Sequence, residues 1–198
     1  MIYSLQRTIC KGCIFMAKKF STMQMVLAAL FVALITVGAF LKVQVGVIPF
    51  SLQLMFVLLA GQLLSPLAAA GSLFTYLLLG LLGVPVFAGG GGLSYVLQPS
   101  FGYIPGFLAA AVAVSLITRC GKPGLLKNLL ANACGVGLVY LFGLSYYFCL
   151  NTFYFGRVVA LSKMLLYCWA IFIPSDVIAL VLTAFLGQKL RRFVPQKG

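Results

Sequence analysis

The chain has 198 residues, of which 63% are hydrophobic and only 8% are charged. A soluble domain of this size carries about a quarter of its residues as charges, so the composition excludes a water-soluble globular protein and indicates an integral membrane protein. The 14 basic residues lie between and beside apolar segments and form no continuous basic face, which argues against nucleic acid as a partner.

The N-terminal part of the chain predicts a basic tail followed by a first membrane helix. Residues 1–22 contain several basic residues, no acid and no obvious signal-peptide cleavage site, so we expect a cytoplasmic tail. Residues 23–41 are uncharged over a length sufficient for one crossing of the bilayer. Within them, Ala29 and Ala33 form a small-x-x-x-small pattern, which allows a second helix to approach closely.

Two shorter apolar helices are predicted after an interruption. Residues 42–51 break the apolar pattern with Gly46 and Pro49. Helices are then expected over residues 52–64 and 67–82. Both are short for a spanning helix, so we expect local thinning of the bilayer or partial covering by loops.

The longest interruption of the apolar pattern runs from Gly80 to Phe107. Four consecutive glycines, Gly89 to Gly92, cannot pack by side chains and are unfavourable inside a helix. Prolines flank them, and aromatic residues are interleaved with them. Such a loop can bring its backbone close to a ligand while its rings cover the ligand's faces. The alternative is a flexible connector between two helices.

Three further helices complete the pattern. Residues 103–118 and 129–150 predict the fourth and fifth helices. Residues 161–173 are apolar, and we expect them to form a short helix in an outer loop. The sixth spanning helix is predicted to begin near Ser175, with Ser175 as N-cap and Asp176 in the first turn, because an acid in the middle of a bilayer span is costly.

Charge distribution predicts how this six-helix bundle lies in the membrane. With six crossings both termini share one side, which then carries all the basic residues except three, namely Lys42, Arg157 and Lys163. The positive-inside rule therefore predicts cytoplasmic termini. We expect an all-α membrane domain over residues 23–190, flanked by basic cytoplasmic tails over 1–22 and 191–198. The loops after helices one, three and five then meet at the outer face.

The chain offers little chemistry for catalysis. It has no His and a single acid, Asp176, so it lacks an acid–base pair, a nucleophilic triad and a metal-binding cluster. Cys10 and Cys13 have C-x-x-C spacing, but no second pair or His completes a zinc site. No phosphate-binding loop is present. The sequence predicts no enzyme, cofactor or bound metal, and any uphill transport needs energy from a partner.

Four polar residues near the predicted outer face each have two interpretations. Asp176 is either a carboxylate stabilised by the helix dipole or an acceptor for a ligand's urea-like N–H groups, and its being the sole acid favours the second. Tyr95 and Tyr103 either bind a ligand or belong to an interfacial aromatic belt. Gln53, at a helix start, either binds a ligand or satisfies loop backbone.

Four segments resemble one known family. They are VIPFSLQ ending at Gln53, GLLGVPVFAGGGG beginning at Gly80, PSFGYIPGF beginning at Pro99, and IPSD ending at Asp176. They resemble the BioY family, the biotin-binding S components of energy-coupling factor (ECF) vitamin transporters. The resemblance runs from about residue 23 to residue 189, and its most specific part is the glycine-rich block.

This resemblance implies a six-helix protein that holds biotin near its outer face, under the first and third loops. It also implies docking onto a transmembrane T component and two ATP-binding subunits, with Ala29 and Ala33 matching the family's T-component contact. The ligand-binding residues it implies, together with the loop argument above, are Gln53, Phe87, Gly90, Gly91, Tyr95, Tyr103 and Asp176.

The chain departs from the family pattern at several positions. Ala179 stands where the family has a lysine that can pair with a ligand carboxylate, and Lys42, Arg157 or Lys163 are alternatives for that pairing. Ser100-Phe101 replaces Thr-Gly, and Ser175 replaces Gly. The competing functional hypothesis is a stand-alone facilitator or carrier of biotin or another small vitamin or organic acid. The two differ in whether uptake needs a partner ATPase.

Overall fold

The computed structural model describes residues 21–45, 48–120, 124–154, 156, 173–191 and 193. Within these residues the chain forms six α-helices, which confirms the predicted helical class. They are α1 (Thr22–Phe40), α2 (Gln53–Leu63), α3 (Pro66–Leu81), α4 (Tyr103–Arg119), α5 (Leu125–Cys149) and α6 (Ile173–Leu190). The interruption after α1 is a short antiparallel hairpin of β1 (Lys42–Val45) and β2 (Ile48–Ser51). Residues 82–102, between α3 and α4, form what we call the glycine-rich loop, which contains a 3₁₀ helix, Leu93–Leu97.

Two of these helices are long and apolar enough to cross a membrane. They are α1 and the continuous helix Leu125–Tyr154, in which α5 ends in a π-helical turn, with mean hydropathies of 2.2 and 1.7. Only 22% and 28% of their most apolar windows are buried, whereas a core helix of a soluble protein is mostly buried. Most of their apolar surface therefore faces outward, as contact with lipid requires. The helices α2, α3 and α4 are apolar but shorter.

Helix boundaries differ from the predictions at two places. The helix α5 begins at Leu125, four residues before the predicted start, because Lys127 is accommodated by donating from Nζ to the Thr118 carbonyl at 3.1 Å. The helix α6 begins at Ile173, so the prediction of Ser175 as N-cap is wrong and Ser175 lies inside the first turn with Asp176. Proline is tolerated in a first turn because its missing N–H has no helical partner there. Residues 161–172 of the predicted outer-loop helix, and most of both tails, lie outside the described residues.

Successive helices run in opposite directions, so the bundle has two distinct ends. At one end, Gln24 Oε1 accepts from the Ser65 backbone N–H at 2.8 Å, and Arg191 Nε donates to the Gln62 carbonyl at 3.0 Å. We call this the basic end. At the other end, the Leu52 N–H donates to the Leu41 carbonyl at 3.3 Å. We call this the loop end, because the hairpin, the glycine-rich loop and the starts of α2, α4 and α6 lie there.

Buried amide side chains connect three helices in the interior. Gln62 Nε2 of α2 donates to Asn132 Oδ1 of α5 at 2.8 Å. Asn132 Nδ2 in turn donates to Thr183 Oγ1 of α6 at 2.9 Å. Polar groups this deeply buried need such partners, so these bonds fix how α2, α5 and α6 are rotated about their axes relative to one another.

Candidate functional site

The first predicted site residue, Gln53, begins α2 and is buried at the loop end. Its Nε2 donates to the hydroxyl of Tyr76 at 2.9 Å, and that hydroxyl donates to the Val86 carbonyl at 3.0 Å. Gln53 therefore supports the loop backbone through Tyr76. This relay joins the start of α2, the middle of α3 and the glycine-rich loop.

Five aromatic rings continue from this relay across the loop end. The ring of Phe87 lies 5.4 Å from that of Tyr76 and 4.7 Å from that of Tyr95. The ring of Phe101 lies 6.5 Å from Tyr95 and 5.7 Å from Tyr146. We call these residues the aromatic row. Each such pair contributes about 0.5–1.5 kcal/mol beyond the burial of its surface, so the row stabilises the packing of the loop against α3 and α5.

The four consecutive glycines form a tight turn that is hydrogen-bonded to Phe87 of the aromatic row. Phe87 and Gly90 exchange two backbone hydrogen bonds, at 2.9 and 3.0 Å, and Gly90 has a φ of +119° that favours glycine. A Cβ on Gly91 would lie 2.8 Å from the carbonyl carbon of Val84. The Gly92 N–H donates to the Gly80 carbonyl at 2.7 Å. The N–H groups of Gly90 and Gly92 are thus bonded to backbone carbonyls, and the loop has a defined conformation and is not an unstructured connector.

Tyr95 is buried within this loop and does not lie in an interfacial belt. Only 3% of its surface is exposed, and its hydroxyl is 3.1 Å from Ser100 Oγ. Burial raises the pKa of the Tyr95 phenol, and hydrogen bonds to Ser100 and the Gly89 backbone offset this only in part. The phenol therefore stays protonated at neutral pH and can donate as well as accept a hydrogen bond.

A second group of residues surrounds the sole acid. The hydroxyl of Tyr140 donates to Asp176 Oδ2, and the ring of Tyr103 lies 6.4 Å from that of Tyr140 in an edge-to-face arrangement. Gly143 leaves room for this packing, because a Cβ there would lie 2.6 Å from the Tyr103 ring. We call Tyr103, Tyr140 and Asp176 the acid cluster. A carboxylate accepts up to about four hydrogen bonds, so Asp176 has acceptor capacity beyond the bond from Tyr140.

The aromatic row and the acid cluster adjoin each other at the loop end. They are linked by the segment from Phe101 to Tyr103, and a Cβ on Gly102 would lie 2.7 Å from Tyr146 Cγ. The structure thus gathers all seven predicted ligand-binding residues at one end of the bundle. Ala179 is half-buried on α6, three residues after Asp176.

Three tyrosines at this site were missed by the sequence analysis, namely Tyr76, Tyr140 and Tyr146. Each is a hydroxyl within a long apolar stretch, and buried tyrosines normally find a hydrogen-bond partner. A hydroxyl within an apolar stretch was therefore the sequence feature that could have indicated these residues. It does not distinguish an interior tyrosine from one at the lipid interface, because both stand in the same apolar sequence.

Removing the Tyr76 hydroxyl tests the relay. Tyr76→Phe keeps the ring packing but leaves the Gln53 amide and the Val86 carbonyl without their partner. We expect a loss of about 1–3 kcal/mol of stability, the cost of unsatisfied buried polar groups. The measurement is the thermal midpoint of the detergent-purified protein. Thr75→Val, which removes a hydroxyl at an exposed position of the same helix, is the matched control, and equal midpoints for both variants would contradict the relay.

The outward apolar surface, the helices long and apolar enough to cross a bilayer, and the polar residues held inside the bundle define a helical membrane protein with a cluster of polar and aromatic groups at one end. A model of the BioY family matches residues 16–196. The chain belongs to the BioY family, as its motifs predicted.

Relatives and a solved structure agree with this placement. The chain is 36% identical over 176 residues to the probable biotin transporter BioY of Lysinibacillus sphaericus, covering 88% of this chain and 90% of that one. It is 34% identical over 170 residues to the biotin transporter BioY of Thermotoga maritima, covering 85% and 96%. Its fold is similar to that of the S-component for biotin from an ECF-type ABC transporter, with a TM-score of 0.76, 24% identity and coverage of 88% and 95%. The family is one of transporters, so the prediction that the chain is not an enzyme is confirmed.

Proposed function

We propose that this chain binds biotin at the loop end of the bundle and is the S component of an ECF-type importer, with ATP energy supplied by partner subunits. The observation that carries the proposal is the position of the sole acid. In a chain of the BioY family, Asp176 is buried at the same end as the aromatic row and keeps acceptor capacity.

The chemistry of the two groups matches the two parts of biotin's bicyclic head. Its ureido ring presents N–H donors, for which the Asp176 carboxylate is a charged acceptor, and charge-assisted hydrogen bonds are the stronger ones. Its sulfur-containing ring is apolar and packs against aromatic side chains. In this proposal Gln53, Tyr95 and Tyr103 complete the polar and aromatic contacts.

Three residues of the glycine-rich loop have a shaping role in this proposal. Phe87, Gly90 and Gly91 set the conformation in which the loop covers the ligand. The ligand's carboxylate tail needs a different cation from the family lysine, because Ala179 stands at that position. Lys42 is exposed in β1, whereas the other two predicted cations lie outside the described residues.

For the membrane arrangement we propose six crossings of the cell membrane with both termini in the cytoplasm, and the domain limits predicted above. The distribution of charge supports this. Among the described residues, the basic end carries Arg119, Lys127, Lys189 and Arg191, and the loop end carries Lys42. The positive-inside rule then places the basic end in the cytoplasm and the biotin site at the outer face.

Docking of the T component on α1 is a further part of the proposal. Ala29 and Ala33 are exposed on the outside of the bundle, and the exposed, bulkier Met25 and Val37 lie one turn before and after them. The small pair therefore forms a shallow notch on an outward face, which suits close approach of another helix.

Filling this notch is expected to break the complex without affecting the ligand. Ala29→Trp should abolish co-purification with the T component while biotin affinity stays within about twofold, because α1 is altered only on its outward face. Leu30→Trp, at an exposed neighbouring position on α1, is the control. Equal co-purification of the two variants would contradict the docking surface.

Equilibrium binding of labelled biotin to the detergent-purified chain tests the proposal directly. We expect sub-micromolar affinity, with displacement by unlabelled biotin and none by lipoic acid, which shares the carboxylate tail but lacks the ureido ring. Uptake into proteoliposomes with and without the T component and ATP-binding subunits separates an S component from a stand-alone carrier. Biotin uptake without those subunits would favour the stand-alone facilitator or carrier.

A further inference from the structure

Three cationic side chains converge at the basic end, and the biotin site does not use them. Arg191 donates from Nε to the Gln62 carbonyl at 3.0 Å and from Nη1 to the Thr118 carbonyl at 3.1 Å. Lys127 Nζ donates to the same Thr118 carbonyl at 3.1 Å. Arg119 Nη2 reaches the Leu63 carbonyl at 3.4 Å. We call Arg119, Lys127 and Arg191 the cation cluster.

No acidic side chain accompanies the cation cluster. Its carbonyl partners belong to the ends of α2 and α4, and a helix C-terminus carries a partial charge of only about −0.5. The only acid in the chain, Asp176, lies at the opposite end of the bundle. Three full positive charges are therefore held close together at an end of the bundle that has no acidic side chain. Such an arrangement attracts an anion.

One donor of the cluster has no hydrogen-bond partner within the described part of the chain. Arg191 is half-buried, and its Nη2 is buried and donates to no group in the part of the chain that the structure describes. Arg191 Nε and Nη1 already donate to carbonyls, so Nη2 is the nitrogen left for a charge-assisted hydrogen bond to a phosphate oxygen.

Apolar surface lies beside these cations. Leu186 of α6 is exposed five residues before Arg191, and Phe193, two residues after Arg191, has 74% of its surface exposed. A soluble anion has no use for exposed apolar side chains, whereas a phospholipid presents its phosphate and its acyl chains together. By the charge distribution above, this end also faces the cytoplasmic leaflet, whose surface is anionic.

We propose that the cation cluster is a binding site for the phosphate of an anionic phospholipid, seated between the ends of α2, α4 and α6. Arg191 donates from Nη2 to a phosphate oxygen, and Arg119 and Lys127 supply the surrounding positive charge. The acyl chains lie along Leu186 and Phe193. The site holds the ends of three helices together and is independent of the biotin site.

The test compares two lipids and two charge-removing variants in the full-length, detergent-purified protein. Dioleoylphosphatidylglycerol and dioleoylphosphatidylcholine are titrated separately, and bound lipid is counted by native mass spectrometry. Arg191→Gln should weaken binding of phosphatidylglycerol at least about tenfold, the effect of losing a charge-assisted hydrogen bond. Lys189→Gln removes the same charge from an exposed position of the same helix end and should weaken it by about fivefold at most.

Two further variants keep the test valid if Arg191→Gln fails to fold. Arg191→Lys keeps the charge but loses the planar fork, and should bind phosphatidylglycerol less tightly than the wild type and more tightly than Arg191→Gln. Lys127→Gln should lower the preference for phosphatidylglycerol over phosphatidylcholine more than Lys189→Gln does.

Several results would overturn the proposal. Equal weakening by Arg191→Gln and Lys189→Gln would mean general attraction to a charged surface. Displacement of phosphatidylglycerol by millimolar inorganic phosphate would indicate a soluble anion as the ligand. Unchanged lipid binding by Arg191→Gln, with loss of co-purification of the T component, would make the cluster a protein-docking surface.

Discussion

Asp176→Asn is expected to lower the affinity for biotin about 100-fold, because a hydrogen bond to a charged acceptor contributes about 1.5–3 kcal/mol and Asn also turns an N–H donor towards the ligand. The side chain keeps its size, so the acid cluster should keep its packing. The measurement is equilibrium binding of labelled biotin to detergent-purified protein. Circular dichroism of each variant confirms that the helices are intact.

The matched variant changes the partner of the carboxylate and leaves the carboxylate in place. Tyr140→Phe removes the hydroxyl that donates to Asp176 but keeps the ring against Tyr103. We expect an affinity loss of about tenfold at most, since the charged acceptor survives. If Asp176→Asn binds biotin as tightly as the wild type, Asp176 is only a helix-terminal carboxylate stabilised by the dipole.

A folded wild-type protein that fails to bind biotin would have a different meaning. It would contradict biotin as the ligand, whatever the variants do. Ala179, in place of the family lysine, would then be the first position to examine, and other vitamins the next ligands to screen.

Gly80→Ala is expected to disrupt the aromatic row and with it the cover of the site. A Cβ at Gly80 would clash with three carbons of the Phe87 ring, which is fully buried between Tyr76 and Tyr95 and cannot move without displacing them. Overpacking of this kind costs about 1–3 kcal/mol. We expect a lower thermal midpoint and biotin binding weakened at least about tenfold, because the glycine-rich loop loses its packing against α3.

The same helix offers a control for this substitution. Gly71 also lies in α3, and a Cβ there would meet no atom within 4 Å. Gly71→Ala should leave biotin binding unchanged and stabilise the helix by up to about 1 kcal/mol, since alanine is the better helix former. Size-exclusion chromatography after heating gives the midpoints. Identical midpoints and affinities for the two variants would show that the packing of Phe87 on α3 does not position the loop.

Composition and apolar pattern determined the class and the helices of this protein. Apolar stretches bounded by basic residues, glycine or proline predicted all six helices, because an apolar segment satisfies its own backbone hydrogen bonds by forming a helix. The starts of α5 and α6 were misjudged, since a helix can continue past its apolar part when a residue such as Lys127 finds carbonyl partners. The family motifs likewise pointed to Gln53, the glycine-rich loop and Asp176 without any contact being known.

Only the tertiary structure decided which side chains meet. Nothing near Tyr76 or Tyr140 in sequence distinguishes them from the other tyrosines, yet one bonds Gln53 and the other bonds Asp176. Likewise, Arg191 reaches carbonyls on α2 and α4 that are far away in sequence. The physical reason is that apolar pattern acts within a single helix. A hydrogen bond between helices depends on how each is rotated and offset against its neighbours, and only the packing of the whole bundle sets that.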